Sequence, residues 1–238
     1  MPPPVTEMWA DETRLKEWYE GGAAYWATTE PTNDGVLGGF RVHEADIRDS
    51  RAFISPLLSS KPKRGLDVGA GIGRVTGGLL IELCEHVDLL EECVPFVEQA
   101  RVQLAHAGDR VNFLCMKMQD FAPEAGLYDL IWIQWCLGSL SDADVVAFLQ
   151  RCRKGLADPG GLLVIKDNVF DVQSCTDAWE KGSDGAKYLV DQNDNSVIRS
   201  REHFKALLDR CGLQQVCPPR NADLGTDELY PVEMHALR

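Results

Sequence analysis

The sequence predicts an α/β protein with a mainly parallel sheet and a helical segment in front of it. Strand-like and helix-like segments alternate from residue 65 onward, a glycine-rich turn follows the first apolar strand, and the first 63 residues contain helix signals. With 238 residues and 45% hydrophobic content, the chain can bury one sizeable core. We therefore expect a Rossmann-like domain over residues 64–238 and an N-terminal helical cap over residues 1–63.

The N-terminal segment contains two predicted helices. Residues 13–28 carry apolar and aromatic side chains at helical spacing, and the turn-rich stretch PTNDGVLGGF follows them. Residues 47–58 predict a second helix, and the basic run KPKR at 61–64 leads into the first strand. We expect these helices to cover the substrate site.

The body shows the alternation of a parallel sheet with helices on both faces. Strands are predicted at residues 65–68, 87–90, 111–116, 129–133 and 161–165, and helices at 75–84 and 141–156. In the second of these helices, Ser141 can cap the free backbone amides, with Asp144 three positions later. The pattern weakens over residues 170–189, where we expect a loop or a short helix that covers the site.

The glycine-rich turn indicates the cofactor. Residues 65–74 read GLDVGAGIGR, and glycines there let the backbone turn sharply and approach a ligand. A dinucleotide fingerprint requires GxGxxG, but the sixth position counted from Gly69 is Arg74. A GxGxG turn that follows Asp67, with an acidic residue such as Glu91 to hold the ribose hydroxyls, is typical of enzymes that use S-adenosylmethionine (SAM).

Composition limits the partners. The formal net charge of −13 disfavours nucleic acids and anionic membranes and favours a cationic substrate, although acidic surfaces also serve solubility. The eight cysteines include no CxxC pair, so we expect reduced core residues and no metal site. The sequence shows neither a signal-peptide pattern nor a membrane span, which predicts a cytoplasmic protein; a nuclear location is also compatible with the sequence.

Residues at the ends of strands are candidates for the site, because ligands bind at the carboxyl ends of parallel strands. Trp135 can stack on a substrate ring or face a cation, and Asn168 can hold an amine; the alternatives are core packing for Trp135 and a turn role for Asn168. Asp191 and Asp194 are spaced to form an anionic pocket for lysine or arginine, or a solvated acidic loop.

The chain resembles the protein alpha-N-terminal methyltransferases, which methylate the free amino terminus of proteins that begin Xaa-Pro-Lys. The resemblance runs from about residue 25 to residue 238 and rests on several short motifs. These are YW at 25–26, PTNDGVLGG at 31–39, LDVGAGIGR, QDF at 119–121, DLIWIQW at 129–135, VIKDN at 164–168, DNSV at 194–197, DELY and a terminal ALR. The pair WIQW and IKDN is the most specific.

This resemblance implies a seven-stranded SAM-dependent methyltransferase sheet and two sets of binding residues. The residues expected to contact SAM, or its product S-adenosylhomocysteine (SAH), are Gly69, Gly71, Arg74, Glu91, Glu92, Cys93, Met118, Gln119 and Gln134. Those expected to line the peptide channel are Trp26, Leu37, Ile47, Trp135, Ser139, Asn168, Asp191, Asp194, Ser196 and Tyr230. Asn168 and Asp194 would be catalytic, and the two aspartates would pair with the third-position lysine.

One departure from the family concerns the proton acceptor. The family usually carries a histidine in the segment after WIQW, where this chain has Ser139. An α-amine has a reference pKa of about 7.7–8.0, so a fraction is neutral near pH 7 and a strong base is not required. We therefore hypothesise that Asp194 alone accepts the proton. A small-molecule amine or carboxylate methyltransferase and a non-catalytic SAM-binding partner are the alternatives.

Overall fold

In the computed structural model, which describes residues 3–182 and 185–238, a twisted sheet forms the centre of the protein. Its described strands are β1 (Arg64–Val68), β2 (His86–Glu91), β3 (Val111–Cys115), β4 (Leu130–Gln134), β5 (Leu162–Phe170), β6 (Glu180–Lys181), β7 (Lys187–Asp191), β8 (Ser196–Ser200), β9 (Arg220–Asn221) and β10 (Val232–Leu237). Seven of these described strands form the main sheet in the order β3-β2-β1-β4-β5-β10-β9, and β1 to β5 run parallel. The expected seven-stranded α/β architecture is confirmed.

Helices precede the sheet and cover both of its faces. They are α1 (Val5–Ala10), α2 (Glu12–Thr28), α3 (Asn33–Val36), α4 (His43–Ile54), α5 (Ile81–Leu83), α6 (Val94–Gln103), α7 (Asp142–Gly155) and α8 (Arg201–Arg210). A π-helical turn over Thr76–Leu80 leads into α5, and short 3₁₀ turns occur at Ser55–Leu57, Ala105–Arg110 and Leu137–Ser139.

The two faces of the sheet bury separate apolar clusters, because side chains alternate along each strand. In β4, Ile131 and Ile133 pack with α7 and α8, whereas Leu130 and Trp132 pack with α4 and the segment after β1. β4 is buried along its whole length, which is expected for a central parallel strand with helices on both faces.

Most predicted elements are present, and their boundaries differ for identifiable reasons. The helix expected at 13–28 is α2, and Ser141 caps α7 by accepting from Asp144 N. The helix expected at 47–58 begins earlier, at His43, and ends in a 3₁₀ turn. The strand expected at 161–165 continues to Phe170, because its last two residues pair with β8. Lys166, Asp167 and Asn168 therefore lie within β5.

The segment at 170–189 differs from the expected loop or short helix. Its described residues include β6 and the start of β7, which pair as an antiparallel hairpin, and residues 183 and 184 lie outside the described residues. β7 pairs with β8, and β8 pairs with the end of β5, so this three-stranded extension continues the sheet. Val5 of α1 and Trp18 of α2 pack against it.

Candidate active site

A cavity of about 670 Å³ opens at the carboxyl ends of the parallel strands. Its walls come from the turn after β1, the ends of β2 and β4, the middle of β5, and helices α2 and α3. This volume lies within the range of about 300–1,000 Å³ that is usual for small-molecule sites. The position agrees with the rule that ligands bind where parallel strands end.

The turn after β1 brings backbone close to the cavity. Gly69 and Gly71 have φ values of 60° and 56°, in the left-handed region that side chains disfavour. A Cβ atom at Gly69 would lie 2.5 Å from the Cβ of Cys136, so this position has no room for a side chain. The turn therefore requires glycine for both conformation and space.

The end of β2 fixes this turn through Glu91. Its Oε2 accepts from Gly71 N at 2.8 Å, and its Oε1 accepts from Cys93 N at the same distance. Burial raises the pKa of Glu91, and these two backbone donors oppose the shift. Each carboxylate oxygen keeps a further lone pair for a hydroxyl group.

Asp67 lies at the base of the same turn and is fully buried. It accepts a hydrogen bond from Thr76 Oγ1 at 2.6 Å. Burial raises the pKa of Asp67 to about 7, although Thr76 and Arg74 act in the opposite direction. Asp67 therefore links β1 to the helical segment behind the turn.

Arg74 joins the cavity to a buried charge cluster. Its Nη1 lies 2.6 Å from Asp46 Oδ2, and Lys166 Nζ lies 2.5 Å from Asp46 Oδ1. Gln134 Nε2 donates to both oxygens of Asp46, at 3.0 and 2.9 Å, and Trp132 Nε1 donates to Gln134 Oε1 at 2.9 Å. Gln134 lines the cavity, but these polar contacts are within the protein.

Unpartnered polar atoms point to a ligand. Among the described residues, four buried side-chain atoms lack a hydrogen-bond partner, and three of them belong to residues that line the cavity. These three are Gln119 Oε1, Trp135 Nε1 and Asp194 Oδ1. Because buried polar groups are normally paired, a ligand with donors and acceptors fits these positions.

Trp135, which directly follows β4, forms one wall of the cavity. It has a φ of 54°, which is rare for an aromatic residue, and the Arg74 guanidinium lies 5.4 Å from its ring centre. Leu37, which follows α3, belongs to the same apolar cluster as Trp135, whereas Trp26 of α2 lines the cavity where it packs against Phe96. The Trp135 indole is thus held in a strained conformation against a cation.

Asn168 and Asp167 enter from β5. Asn168 Nδ2 donates to the backbone oxygen of Tyr230 at 3.2 Å, and this bond orients the side-chain amide. Asp167 accepts from Asn168 N at 2.8 Å and from Leu137 N at 3.3 Å. Burial raises the pKa of Asp167 to about 6, against the effect of the Asn168 backbone donor. Asp167 therefore joins β5 to the turn after β4.

Asp194 enters from the tight turn between β7 and β8. Burial raises the pKa of its carboxyl; Ser196 opposes this shift and the nearby Asp191 carboxylate adds to it. The next residue, Asn195, has a φ of 52° and donates through Nδ2 to Trp18 O at 2.9 Å. Helix α2 thus holds the turn that carries Asp194.

Ser139 lies where the family usually has histidine, and it lines the cavity. Its hydroxyl donates to Cys136 O at 2.8 Å, and its backbone oxygen accepts from Trp18 Nε1 at 2.9 Å. Arg199 donates to Leu137 O and Leu140 O at 3.0 and 2.6 Å, which fixes the segment around Ser139. The serine hydroxyl is thus engaged within its own turn.

The structure brings most of the expected site residues together. All nine residues expected at the cofactor line the cavity: Gly69, Gly71, Arg74, Glu91, Glu92, Cys93, Met118, Gln119 and Gln134. Seven of the ten expected in the peptide channel also line it: Trp26, Leu37, Trp135, Ser139, Asn168, Asp194 and Ser196. One continuous cavity is therefore lined by the whole first set and by most of the second.

Three expected peptide residues lie elsewhere. Ile47 is half-buried and packs against Gly78 and the apolar cluster beneath α4, so it does not line the cavity. Asp191 is exposed and accepts from Asn193 N at 2.8 Å and Asn193 Nδ2 at 2.9 Å. The Tyr230 side chain is also exposed and donates to Asp177, while its backbone oxygen supports Asn168.

Asp46 and Ser50 were missed by the sequence reasoning. Together with Phe53 and Ile54, they form the buried stripe of α4. Positions 46, 50, 53 and 54 have the spacing that is usual for the apolar face of a helix. Two polar residues in such a stripe are a signal for buried partners, which here include Lys166.

Together, the parallel sheet, the glycine turn bonded to the acidic end of β2, and the cation of Arg74 define a SAM-dependent methyltransferase. The sequence profile described as AdoMet dependent proline di-methyltransferase matches residues 14–238. The chain belongs to this family, and the cofactor expected from the glycine motif is confirmed.

Curated relatives and one solved structure are similar over most of the chain. Alpha N-terminal protein methyltransferase 1 of Arabidopsis thaliana is 39% identical, covering 98% of this chain and 86% of its own. N-terminal Xaa-Pro-Lys N-methyltransferase 1 of Homo sapiens is 37% identical, covering 94% and 96%. A SAM-dependent methyltransferase from Leishmania major superposes with a TM-score of 0.81 at 36% identity, covering 93% of this chain and 83% of its own.

Three further expectations concern membranes, metals and cysteines. In residues 3–182 and 185–238, no helix has the length and apolar character needed to cross a bilayer. Within the same ranges, no three His, Cys, Asp or Glu side chains are grouped to hold a metal ion. The eight cysteines are free thiols; four are buried, and Cys115 is exposed.

Proposed function

We propose that this methyltransferase methylates the free α-amino group of proteins that begin Xaa-Pro-Lys. The observation that carries the proposal is that Asn168, Asp194 and Trp135 line the same cavity as the glycine turn. We call the region around these three residues the acceptor half and the region around the glycine turn the cofactor half. The names of the Arabidopsis and human relatives, which cover nearly the whole chain, support the same acceptor. The N-terminal segment, residues 1–63, would act as a cap that covers the cavity through Trp26 and Leu37.

The acceptor half suits a peptide amino terminus. Asn168 is oriented by its bond to Tyr230 O, so its side-chain oxygen is the atom left to accept from the terminal amine. Trp135 and Leu37 offer apolar surface to the ring of a second-position proline. Proline has no amide hydrogen, so an apolar slot accepts it without leaving a donor unpaired.

The turn between β7 and β8 provides the negative charge for the third residue. Asp194 lines the cavity, and Asp191 lies three residues earlier on the exposed side of the same turn. Burial is the main cause of the raised pKa of Asp194, and the Asp191 carboxylate adds to the shift. A lysine ammonium at this position would relieve the repulsion between the two carboxylates.

SAM, when bound, supplies an electrophilic methyl group on a sulfonium. Arg74 would hold its carboxylate, Glu91 its ribose hydroxyls, and the Gly69–Gly71 turn would lie against it. Asn168 would hold the amine in line with this methyl group, and catalysis would come mainly from that positioning. The glycine turn is held close to the segment after β4, since a Cβ at Gly69 would clash with Cys136.

Asp194 is the proposed proton acceptor. Its Oδ1 is buried in the cavity wall without a partner, so it can accept a proton from the amine directly or through a water molecule. The Ser139 hydroxyl donates to Cys136 O, and a serine hydroxyl is not a base at neutral pH. The reaction here would therefore use one carboxylate where the family usually adds a histidine.

Mass spectrometry of three peptides tests the acceptor. Peptides that begin Ser-Pro-Lys, Ser-Gln-Lys and acetyl-Ser-Pro-Lys would be incubated with the purified protein and SAM. We expect methyl additions on the first peptide alone, because the second lacks the proline ring and the third lacks a free amine. The number of additions gives the degree of methylation.

The other outcomes separate the alternatives. Equal methylation of the first two peptides would contradict recognition of proline. Unmodified peptides together with normal SAH binding by calorimetry would favour a small-molecule acceptor or a non-catalytic SAM-binding partner. Asp194→Asn serves as the matched control protein, because it should bind SAH normally and lose peptide methylation.

A further inference from the structure

The three charged side chains in direct contact behind Arg74 carry more positive than negative charge, while Asp49 and Asp67 act on the cations from a greater distance. Asp46, Arg74 and Lys166 contribute two cations and one anion, and Asp46 and Lys166 are fully buried. Arg74 lines the cavity and is 8% exposed, so the excess positive charge of these three side chains reaches the cavity through its guanidinium. A buried net charge is costly, which indicates that a ligand anion completes the cluster.

Lys166 is held as an ammonium. Its Nζ lies 2.5 Å from Asp46 Oδ1, 2.9 Å from Ser50 Oγ and 3.3 Å from Asp46 O. An ammonium group has three donor hydrogens, and these three acceptors use all of them. Burial lowers the pKa of Lys166, and the Asp46 carboxylate acts against this shift. Lys166 thus has no contact left for a ligand and can act only through Asp46.

Asp46 binds both cations. Burial opposes its ionisation, but Arg74 and Lys166 together hold the pKa of Asp46 below its usual value. With Arg74 as its one counter-ion, Asp46 would neutralise the guanidinium and compete with a cofactor carboxylate for it. With Lys166 as a second counter-ion, Arg74 stays fixed by Asp46 while the cluster keeps one positive charge.

We propose that Asp46 and Lys166 are positioning residues for the carboxylate of the cofactor. Asp46 orients Arg74, and Lys166 compensates the charge of Asp46, so that Arg74 can bind the carboxylate of the methionine moiety. Asp46 lies on α4 and Lys166 on β5, so the N-terminal helices take part in cofactor binding. This inference rests on the cofactor and is independent of the peptide acceptor.

The test compares two ligands that differ in one group. SAH carries the carboxylate, and its decarboxylated analogue does not. In Lys166→Met we expect the affinity for SAH, measured by calorimetry, to fall about ten- to a hundredfold, as for loss of a charged hydrogen bond. The affinity for the decarboxylated analogue should change less than about threefold. Lys154→Met, on α7, is the matched control and should change neither affinity.

A double variant separates charge from packing. Asp46→Asn with Lys166→Met removes one charge of each sign, so the cluster keeps a single positive charge, and the amide oxygen of the new asparagine can still accept from Arg74 and orient it. We expect it to recover the preference for SAH over the decarboxylated analogue to within about threefold of the wild type. If Lys166→Met does not fold, Lys166→Gln takes its place, because it keeps hydrogen-bond donors for Asp46 and Ser50 and removes only the charge; the same selective loss of SAH affinity is expected.

Three results would overturn the proposal. They are equal losses for both ligands in Lys166→Met, unchanged affinities in that variant, and a double variant that loses SAH preference as completely as the single one. None of these measurements uses a peptide. A negative result would therefore leave N-terminal methylation untouched, and a failure of peptide methylation would leave this inference untouched.

Discussion

The proposed cofactor half of the cavity is built from adjacent backbone, whereas the proposed acceptor half is built from side chains of distant segments. In the first, Gly71 N bonds directly to Glu91 at the end of the neighbouring strand. In the second, Asn168 comes from β5 and Asp194 from the turn after β7, which α2 holds through Asn195. This difference predicts that substitutions in the two halves separate binding of cofactor from turnover of acceptor.

The largest effect should come from Asp194→Asn. Removal of a general base typically costs about 10²–10⁴ in rate, so we expect kcat to fall at least about a hundredfold. SAH affinity should stay within about twofold, because Asp194 belongs to the acceptor half and makes no bond to the glycine turn. Steady-state kinetics and calorimetry on the same preparation measure both values.

Asp191→Asn is the natural comparison on the same turn. Its carboxylate is exposed and bonded to Asn193, so we expect a higher KM for the Lys-containing peptide with little change in kcat. Steady-state kinetics with this peptide measure both values.

The pH dependence of kcat tests Asp194 in a second way. Because burial raises the pKa of Asp194, its carboxylate becomes protonated at a higher pH than an exposed aspartate would. The decrease in kcat that this protonation causes at acidic pH should be absent in Asp194→Asn. An identical decrease in wild type and variant would exclude Asp194 as the base.

Gly69→Ala should act on the cofactor half. The new Cβ would lie 2.5 Å from Cys136 Cβ at a φ of +60°, so we expect SAH affinity to fall about tenfold or more, together with strain of about 1–2 kcal/mol. Gly126→Ala is the matched control, since Gly126 has a φ of +73° and no atom within 4 Å of the added Cβ. It should lose thermal stability by strain alone and bind SAH normally. A comparable SAH loss in both variants would mean that general strain, and not the turn, controls binding.

Gly21→Ala should give a smaller effect confined to turnover. A Cβ there would lie 2.2 Å from Asn195 Nδ2, which would displace the amide and break its bond to Trp18 O. Loss of one hydrogen bond that positions Asp194 predicts a kcat lower by about three- to tenfold. Alanine is a better helix former than glycine, so α2 itself should not weaken.

Asn195→Gly provides the comparison for that variant. It keeps the left-handed φ of 52° and deletes the amide, so the same bond is lost without added bulk. We expect a similar decrease in kcat. A decrease in SAH affinity larger than the decrease in kcat, in either variant, would show that α2 acts on the cofactor half instead.

The remaining prediction concerns stability instead of turnover: Asp67→Asn should change the pH dependence of Tm. The pKa of Asp67 is raised to about 7 when folded, so the folded protein binds this proton more tightly than the unfolded chain. Its contribution is complete below the unfolded pKa of about 4 and is lost as pH rises towards 7. The Tm of the variant minus the Tm of the wild type should therefore be larger at pH 8 than at pH 5. A Tm difference that is constant with pH would contradict this assignment.

Sequence predicted the cofactor half better than the acceptor half for a physical reason. Gly69 directly follows β1, and Glu91 is the last residue of the neighbouring strand β2. One helical segment joins these two strands, so their spacing in the sequence fixes their relative position. Ile47 was expected in the channel but faces the core, because the rotation of α4 depends on Asp46 meeting Lys166, 120 residues later. No local pattern contains that contact.

The end of the sheet shows the same limit. A loop or short helix is expected for residues 170–189, yet β6 and β7 form strands there. β7 pairs with β8, which itself pairs with the end of β5, and β6 pairs with β7. Local sequence propensity does not show that a partner strand is available. The resemblance placed Tyr230 in the channel, but its backbone oxygen supports Asn168.

Strand β5 serves both halves, and this has an evolutionary consequence. Its register is fixed on one side by β4 and on the other by β10, up to the pairing of Asn168 with Val232. Beyond that point the strand ends at Phe170, and the hairpin begins. The described residues between 171 and 190 do not line the cavity, so insertions or deletions after Phe170 can change the neighbouring surface without shifting Asn168. We therefore expect sequence variation to be tolerated after Phe170 and to be restricted at Asn168.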